Sequence, residues 1–188
     1  MRTKGPGESA ALLGDVVKCL SQHGIGYAVI GAMAAAFHGI VRSSLDADAL
    51  VFLRDHSLRD VQTALDAMGA EITVRRGDEA DPIPALIQVA DSHGNSVDLL
   101  MGLRGLDPKA PDRTVTAEHA GQELRFIGLE DFVAMKLYAG GPVDLEDARA
   151  MLSLRRDDLD LRLVDDLAAR FGDAAVRSLE RIRDRATD

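Results

Sequence analysis

Apolar positions along this chain change their period several times, and each change marks an element. From Ser9, SAALLGDVVKCLSQHG places Leu12, Val16, Cys19 and Leu20 at helical spacing and stops at Gly24, which predicts an amphipathic helix. YAVIG is short, apolar and partly β-branched, and predicts a buried strand ended by Gly31. AMAAAFHG predicts a short helix with Gly39 as its C-terminal stop, and LDADALVF a second strand. SLRDVQTALDAMG carries Leu58, Val61, Leu65 and Met68 on one face between Ser57, a fitting N-cap, and Gly69. EITVRR and PALIQVAD read as short strands on either side of an acidic, proline-containing loop, and SHGN turns the second of them into SVDLLMG as a hairpin. TVTAEHAGQELRFIG predicts another hairpin, turning at Gly121. After Gly128 the period is helical in LEDFVAMKLYAGG, in VDLEDARAMLSL and in the segment from Asp157, with Pro142 punctuating the first two. The pattern predicts an α/β (α+β) fold: a mixed sheet within residues 25–127 flanked by helices, followed by a C-terminal helical bundle. We divide the chain accordingly into an α/β domain, 1–127, and a helical region, 128–188.

Composition narrows the classes. The chain has 188 residues, 46% of them hydrophobic, enough for one domain with a real core or for a small domain with a helical appendage. A formal net charge of -9 disfavours non-specific attraction to nucleic acid or anionic membrane, while leaving room for a local basic groove. The single cysteine, Cys19, excludes an intramolecular disulfide and a Cys-based zinc site, fits a reducing compartment and reads as a core thiol. The N-terminal apolar positions are interrupted by Ser9, Gly14, Asp15 and Lys18, unlike a signal peptide, and no run approaches the ~20 residues that span a bilayer. The expectation is a cytoplasmic protein with no membrane partner.

The chemistry concentrates in the second strand. Alternation puts Asp46 and Asp48 on one face, about 7 Å apart at their α-carbons. A solvent-facing strand edge would accommodate both, but Leu45, Ala47, Ala49, Leu50 and Val51 surround them, and carboxylates in apolar surroundings call for partners or a cation. Asp98 in SVDLL is a third lone carboxylate in an apolar strand; it is either one polar position of an ordinary hairpin or, if the two strands are neighbours, part of a convergent set. Three such oxygen ligands describe a hard-cation site for Mg²⁺ or Mn²⁺, and two metals held this way can activate an attacking hydroxyl and stabilise a leaving pyrophosphate. The strand–Gly31–helix turn offers backbone N–H groups and a favourable dipole to phosphates.

These residues carry a resemblance. VIGAMAAAFHGIVRSSLDADALV resembles the opening motif of the DNA polymerase β-like nucleotidyltransferase superfamily: a hydrophobic strand, Gly-Gly or Gly-Ser, a short helix, then Asp-x-Asp. It is more closely similar to the abortive-infection (AbiEii-like) and minimal nucleotidyltransferase branch, whose pattern of Gly-Gly, Ala, His-Gly, Arg, Thr and Asp-x-Asp is matched by Gly31, Ala35, His38-Gly39, Arg42, Asp46 and Asp48. VDLL supplies the third carboxylate, and LEDFVAMKLYAGGPVDLEDARAML is similar to the branch's helical motif, mapping its lysine to Lys136 and its Asp-Leu-x-Asp to Asp144 and Asp147. Ala32 departs from the pattern at the second glycine, Ser44 stands for the threonine and keeps its hydroxyl, and Val143 replaces a basic residue.

The resemblance implies transfer of a nucleoside monophosphate from an NTP to an acceptor hydroxyl with Mg²⁺ (or Mn²⁺). Asp46, Asp48 and Asp98 would be the catalytic and metal-ligating residues, and Gly31, Ala32, Arg42, Ser44 and Lys136 the nucleotide-binding ones. Arg42 divides between pairing with a carboxylate and meeting a triphosphate. His38 reads as a cap on backbone carbonyls or as a nucleotide contact; Lys136 either emerges into the cleft or stays on the surface; Asp144 and Asp147 read as structural. The acceptor is left open among RNA, protein and small molecule. The branch includes toxins of toxin–antitoxin systems, which adds a cognate antitoxin as a partner, and similar folds modify aminoglycosides. Ala32 also admits a nucleotide-binding or antitoxin-like module of the same fold without turnover.

Overall fold

The computed structural model describes residues 2–41 and 46–184. Its elements run α1 (Ser9–Gln22), β1 (Gly26–Val29), α2 (Gly31–His38), β2 (Ala47–Phe52), α3 (Leu58–Asp66), β3 (Glu71–Arg76), β4 (Ala85–Ala90), β5 (Ser96–Leu100), a 3₁₀ turn (Ala110–Arg113), β6 (Val115–His119), β7 (Gln122–Phe126), α4 (Leu129–Ala139), α5 (Pro142–Leu154), α6 (Leu161–Phe171) and α7 (Asp173–Asp184). Among the described residues no helix is long and apolar enough to cross a membrane.

The element ends follow local chemistry. Ser57 and Asp60 form a reciprocal capping box at the start of α3, each side chain accepting from the other's backbone N–H. Asp160 accepts from the N–H groups of Arg162 and Leu163 to open α6. Gly39 ends α2 in the left-handed region at φ 113°. The C-terminal helical segment divides in two at Gly172, whose φ of 98° breaks α6 from α7.

The strands form one seven-stranded sheet in the order β3-β4-β5-β2-β1-β7-β6. β2–β5 and β1–β7 pair in parallel and the other neighbours antiparallel. Alternation in β2, β4 and β5 sends Ala47, Ala49, Ile87, Val89, Val97 and Leu99 to a fully buried face. Helix α1 packs there with Leu12, Leu13, Val16 and Leu20, and α3 adds Val61 and Leu65. Cys19 joins the two helices by donating its thiol to the Ala64 carbonyl at 3.1 Å, and burial pushes that thiol up from its ordinary value. The opposite face of β4 and β5 is only partly covered, and it is the face that carries Asp98. The C-terminal helices pack on one another around Phe132, Val133, Leu137, Met151, Val164 and Leu179.

Candidate active site

The parallel pairing of β2 with β5 decides the site, because it sets Asp48 directly opposite Asp98. Paired residues of neighbouring strands lie about 5 Å apart and project to the same face, so the two carboxylates stand side by side on the open face. Both are partly buried, while Ala47, Ala49, Val97 and Leu99 beside them are buried. Asp46 precedes the first residue of β2 and is exposed.

Strand β1 runs antiparallel on the other side of β2 and delivers Gly31 to the same spot. The Ile30 N–H donates to the Asp48 carbonyl at 3.0 Å, which fixes the start of α2 against the middle of the site. Gly31 has φ 64°, and a Cβ built on it would run into the Asp48 carboxylate. Glycine is therefore demanded twice, by conformation and by the approach of a carboxylate. Ile30 caps α2 without a side-chain bond, so the first turn, from Gly31 through Ala32 to Met33, presents N–H groups that its own helix does not satisfy. Ala32 is buried at that turn.

The far end of α2 is pinned as firmly. His38 is buried, and its Nε2 lies 2.8 Å from the Ile127 carbonyl just beyond β7, so Nε2 carries the proton and donates. Burial depresses the His38 pKa below its ordinary value, against the opposing effect of that hydrogen bond, and keeps the ring neutral. Phe37 stacks on Phe126 at 4.3 Å, and Arg155, at the end of α5, donates to the His38 carbonyl at 3.1 Å while pairing with Asp158. His38 thus holds a backbone carbonyl from another element, and its role in this structure is to seat α2.

Lys136 is engaged between two helices. It is 8% exposed, and its Nζ lies 2.7 Å from Asp144 Oδ1 and 2.9 Å from Asp147 Oδ2, an ion-paired link from α4 to α5. Asp144 and Asp147 both lie on the α5 face toward α4, as their i, i+3 spacing allows. Arg42 and Ser44 lie outside the described residues.

Two features had no place in the sequence reading. Gln88 of β4 stands opposite Asp98 and donates Nε2 to its Oδ1 at 3.0 Å; the one signal for it was a lone amide in the apolar run ALIQVA. Arg113 grips the buried Asp131 with Nε at 2.6 Å and a second nitrogen at 2.7 Å, and also reaches Asp107 at 2.8 Å. These bonds hold the Arg113 guanidinium well above its ordinary pKa and tie the loop after β5 to α4.

The site's donor chemistry is that of a hard divalent cation: two carboxylates in register, a third two positions along the chain, and a glycine surface with no side chain to intrude. Among the described residues, however, no group of three or more His, Cys, Asp or Glu is gathered closely enough to hold a metal ion. The expected convergence of Asp46, Asp48 and Asp98 is thus present as a pair in register, because sheet pairing fixes only the residues inside β2 and β5 and Asp46 lies before the strand.

No family model and no curated protein matches the chain. Among solved structures it is similar to the antibiotic-resistance factor ANT(2'')-Ia in solution, with a TM-score of 0.57 and 16% identity over 93% of this chain and 96% of that one. A crystal structure of ANT(2'')-Ia in complex with adenylyl-2''-tobramycin gives a TM-score of 0.56 and 16% identity over 86% and 95%. An antigenic nucleotidyltransferase-like protein from Paracoccidioides brasiliensis gives 0.51 and 16% over 78% and 76%. At such identities the likeness is one of fold.

Proposed function

We propose that this protein transfers a nucleoside monophosphate from an NTP to an acceptor hydroxyl and releases pyrophosphate. The observation that carries the reading is the register of Asp48 with Asp98 beside the Gly31 turn, on a fold shared with nucleotidyltransferases. Asp48 and Asp98, with Asp46, are the residues that would hold Mg²⁺ or Mn²⁺, which when bound supplies charge neutralisation for the triphosphate and its leaving group. The N–H groups opening α2 hold phosphate oxygens, and Gly31 keeps that approach clear. Asp98 accepts the proton of the acceptor hydroxyl as its oxygen bonds to the α-phosphorus and the bond to the bridging oxygen of pyrophosphate breaks. Arg42 and Ser44 complete the nucleotide site, and Lys136 joins it only by exchanging Asp144 for a phosphate. Residues 1–127 carry the chemistry and residues 128–188 brace it through Arg155, which donates to the His38 carbonyl, and through Asp131, which Arg113 grips.

The acceptor class is open among RNA, protein and small molecule. A small molecule is favoured by the adenylyl-2''-tobramycin in complex with one structural neighbour and by the net charge of -9, which disfavours a broad polyanion-binding face. A toxin role with a cognate antitoxin rests on the motif resemblance alone. The test supplies each of four α-labelled NTPs with Mg²⁺ to RNA, protein and small-molecule fractions of a lysate. Label in one fraction supports transfer and names the acceptor class; label in none contradicts it.

A second reading, a nucleotide-binding module without turnover, is favoured by Ala32 at the phosphate turn and by the pair of carboxylates in place of a gathered triad. It predicts stabilisation by Mg²⁺ with NTP and no labelled product in any fraction.

A further inference from the structure

Asp48, Asp98, Gln88 and Thr73 lie in one transverse row across four strands. β2–β5 pairs Asp48 with Asp98, β5–β4 pairs Asp98 with Gln88, and β4–β3 pairs Gln88 with Thr73. All four side chains therefore belong to one face of the sheet, and Gln88 is flanked along its own strand on that face by Leu86 and Ala90. Gln88 is partly buried there, and its Nε2 donates to Asp98 Oδ1 at 3.0 Å.

We propose that Gln88 is a positioning residue for the cation site: its neutral amide fixes Asp98 by one carboxylate oxygen and leaves the other to the cation shared with Asp48. This rests on the nucleotidyl-transfer reading. An ionised carboxylate only accepts hydrogen bonds, so the amide nitrogen must face it. The bond engages Oδ1 and stops the carboxylate from rotating about its Cβ–Cγ bond. Charge is the second part of the argument. A lysine or arginine at position 88 would orient Asp98 equally well but would neutralise it and compete with the cation, whereas a carboxamide orients without neutralising. Hydrogen bonds of this kind to ligating carboxylates set metal affinity by about 10–100-fold.

The test measures Mn²⁺ binding to the full chain by the loss of the free-ion paramagnetic resonance signal, with a non-hydrolysable NTP analogue present. Wild type is compared with Gln88→Met, which keeps the length and loses the donor, with Gln88→Lys, and with Asp98→Asn. Melting is followed in EDTA, where a merely structural contact would show. The expected result is about a 10–100-fold weaker Mn²⁺ affinity for Gln88→Met and a larger loss for Gln88→Lys. Each variant should melt in EDTA within a few degrees of wild type. In turnover, the Mg²⁺ concentration at half-maximal rate should rise while KM for NTP at saturating Mg²⁺ holds. Wild-type Mn²⁺ affinity in both Gln88 variants, with binding lost in Asp98→Asn, overturns the role of Gln88 alone. Mn²⁺ binding that Asp98→Asn leaves intact overturns the underlying site assignment and this inference with it.

Discussion

Gly31 shows how much one position can carry. Its φ of 64° already disfavours any side chain, and a Cβ there would meet the Asp48 carboxylate, so Gly31→Ala displaces that carboxylate as well as straining the backbone. The left-handed conformation alone costs about 1–2 kcal/mol for a residue with a Cβ. We predict that Gly31→Ala lowers unfolding stability by at least that amount in urea titration and weakens Mn²⁺ binding; a variant with wild-type midpoint and affinity would refute the contact. His38 acts at the same scale through its proton. Because burial depresses its folded pKa, the unfolded chain binds the proton first as pH falls below the ordinary value of about 6.5. The native state loses stability from there down to the depressed pKa, by at most about 1.4 kcal/mol per pH unit for one group. Denaturation at pH 7.5 and 5.5 should show that loss in wild type and a smaller one in His38→Gln, whose amide can still reach the Ile127 carbonyl. Equal losses would remove His38 as the cause.

Between elements, the α4–α5 link is the sharpest case of a residue whose neighbours decide its role. Lys136 reads in sequence either as a cation bound for nucleotide or as a surface lysine; in the fold its ammonium meets Asp144 and Asp147. Lys136→Met strands two carboxylates, one of them almost wholly buried, and breaking a pair of this kind costs about 3–5 kcal/mol. A urea midpoint lowered to match would confirm the brace, and a stable variant with weakened NTP binding would return Lys136 to the nucleotide site. Helices and hairpins were legible because their signals are local: Ser57 with Asp60, Gly39, Gly121, and the alternation in ALIQVA and SVDLL. The Asp48–Asp98 register was legible only as a condition, since β2 and β5 are separated in sequence by α3, β3 and β4 and pair in parallel. Gln88 was missed because nothing in a strand's own sequence states what stands across from it. The Arg113–Asp131 grip likewise joins a loop to a helix at a separation no periodicity reports.

On the scale of the molecule, the sheet collects what the chain scatters. Residues from β2, β4, β5 and the start of α2 meet at one place on the open face, and the C-terminal helices reach that place indirectly, through Arg155 on the His38 carbonyl at the far end of α2. The most direct measurement is single-turnover release of pyrophosphate and transfer of label from an α-labelled NTP to an acceptor, for wild type, Asp48→Asn and Asp98→Asn, with melting curves alongside. The account predicts Mg²⁺-dependent transfer by wild type and a loss of about 10³-fold or more in each variant, with melting temperatures within a few degrees of wild type. Transfer undiminished in either variant would contradict it.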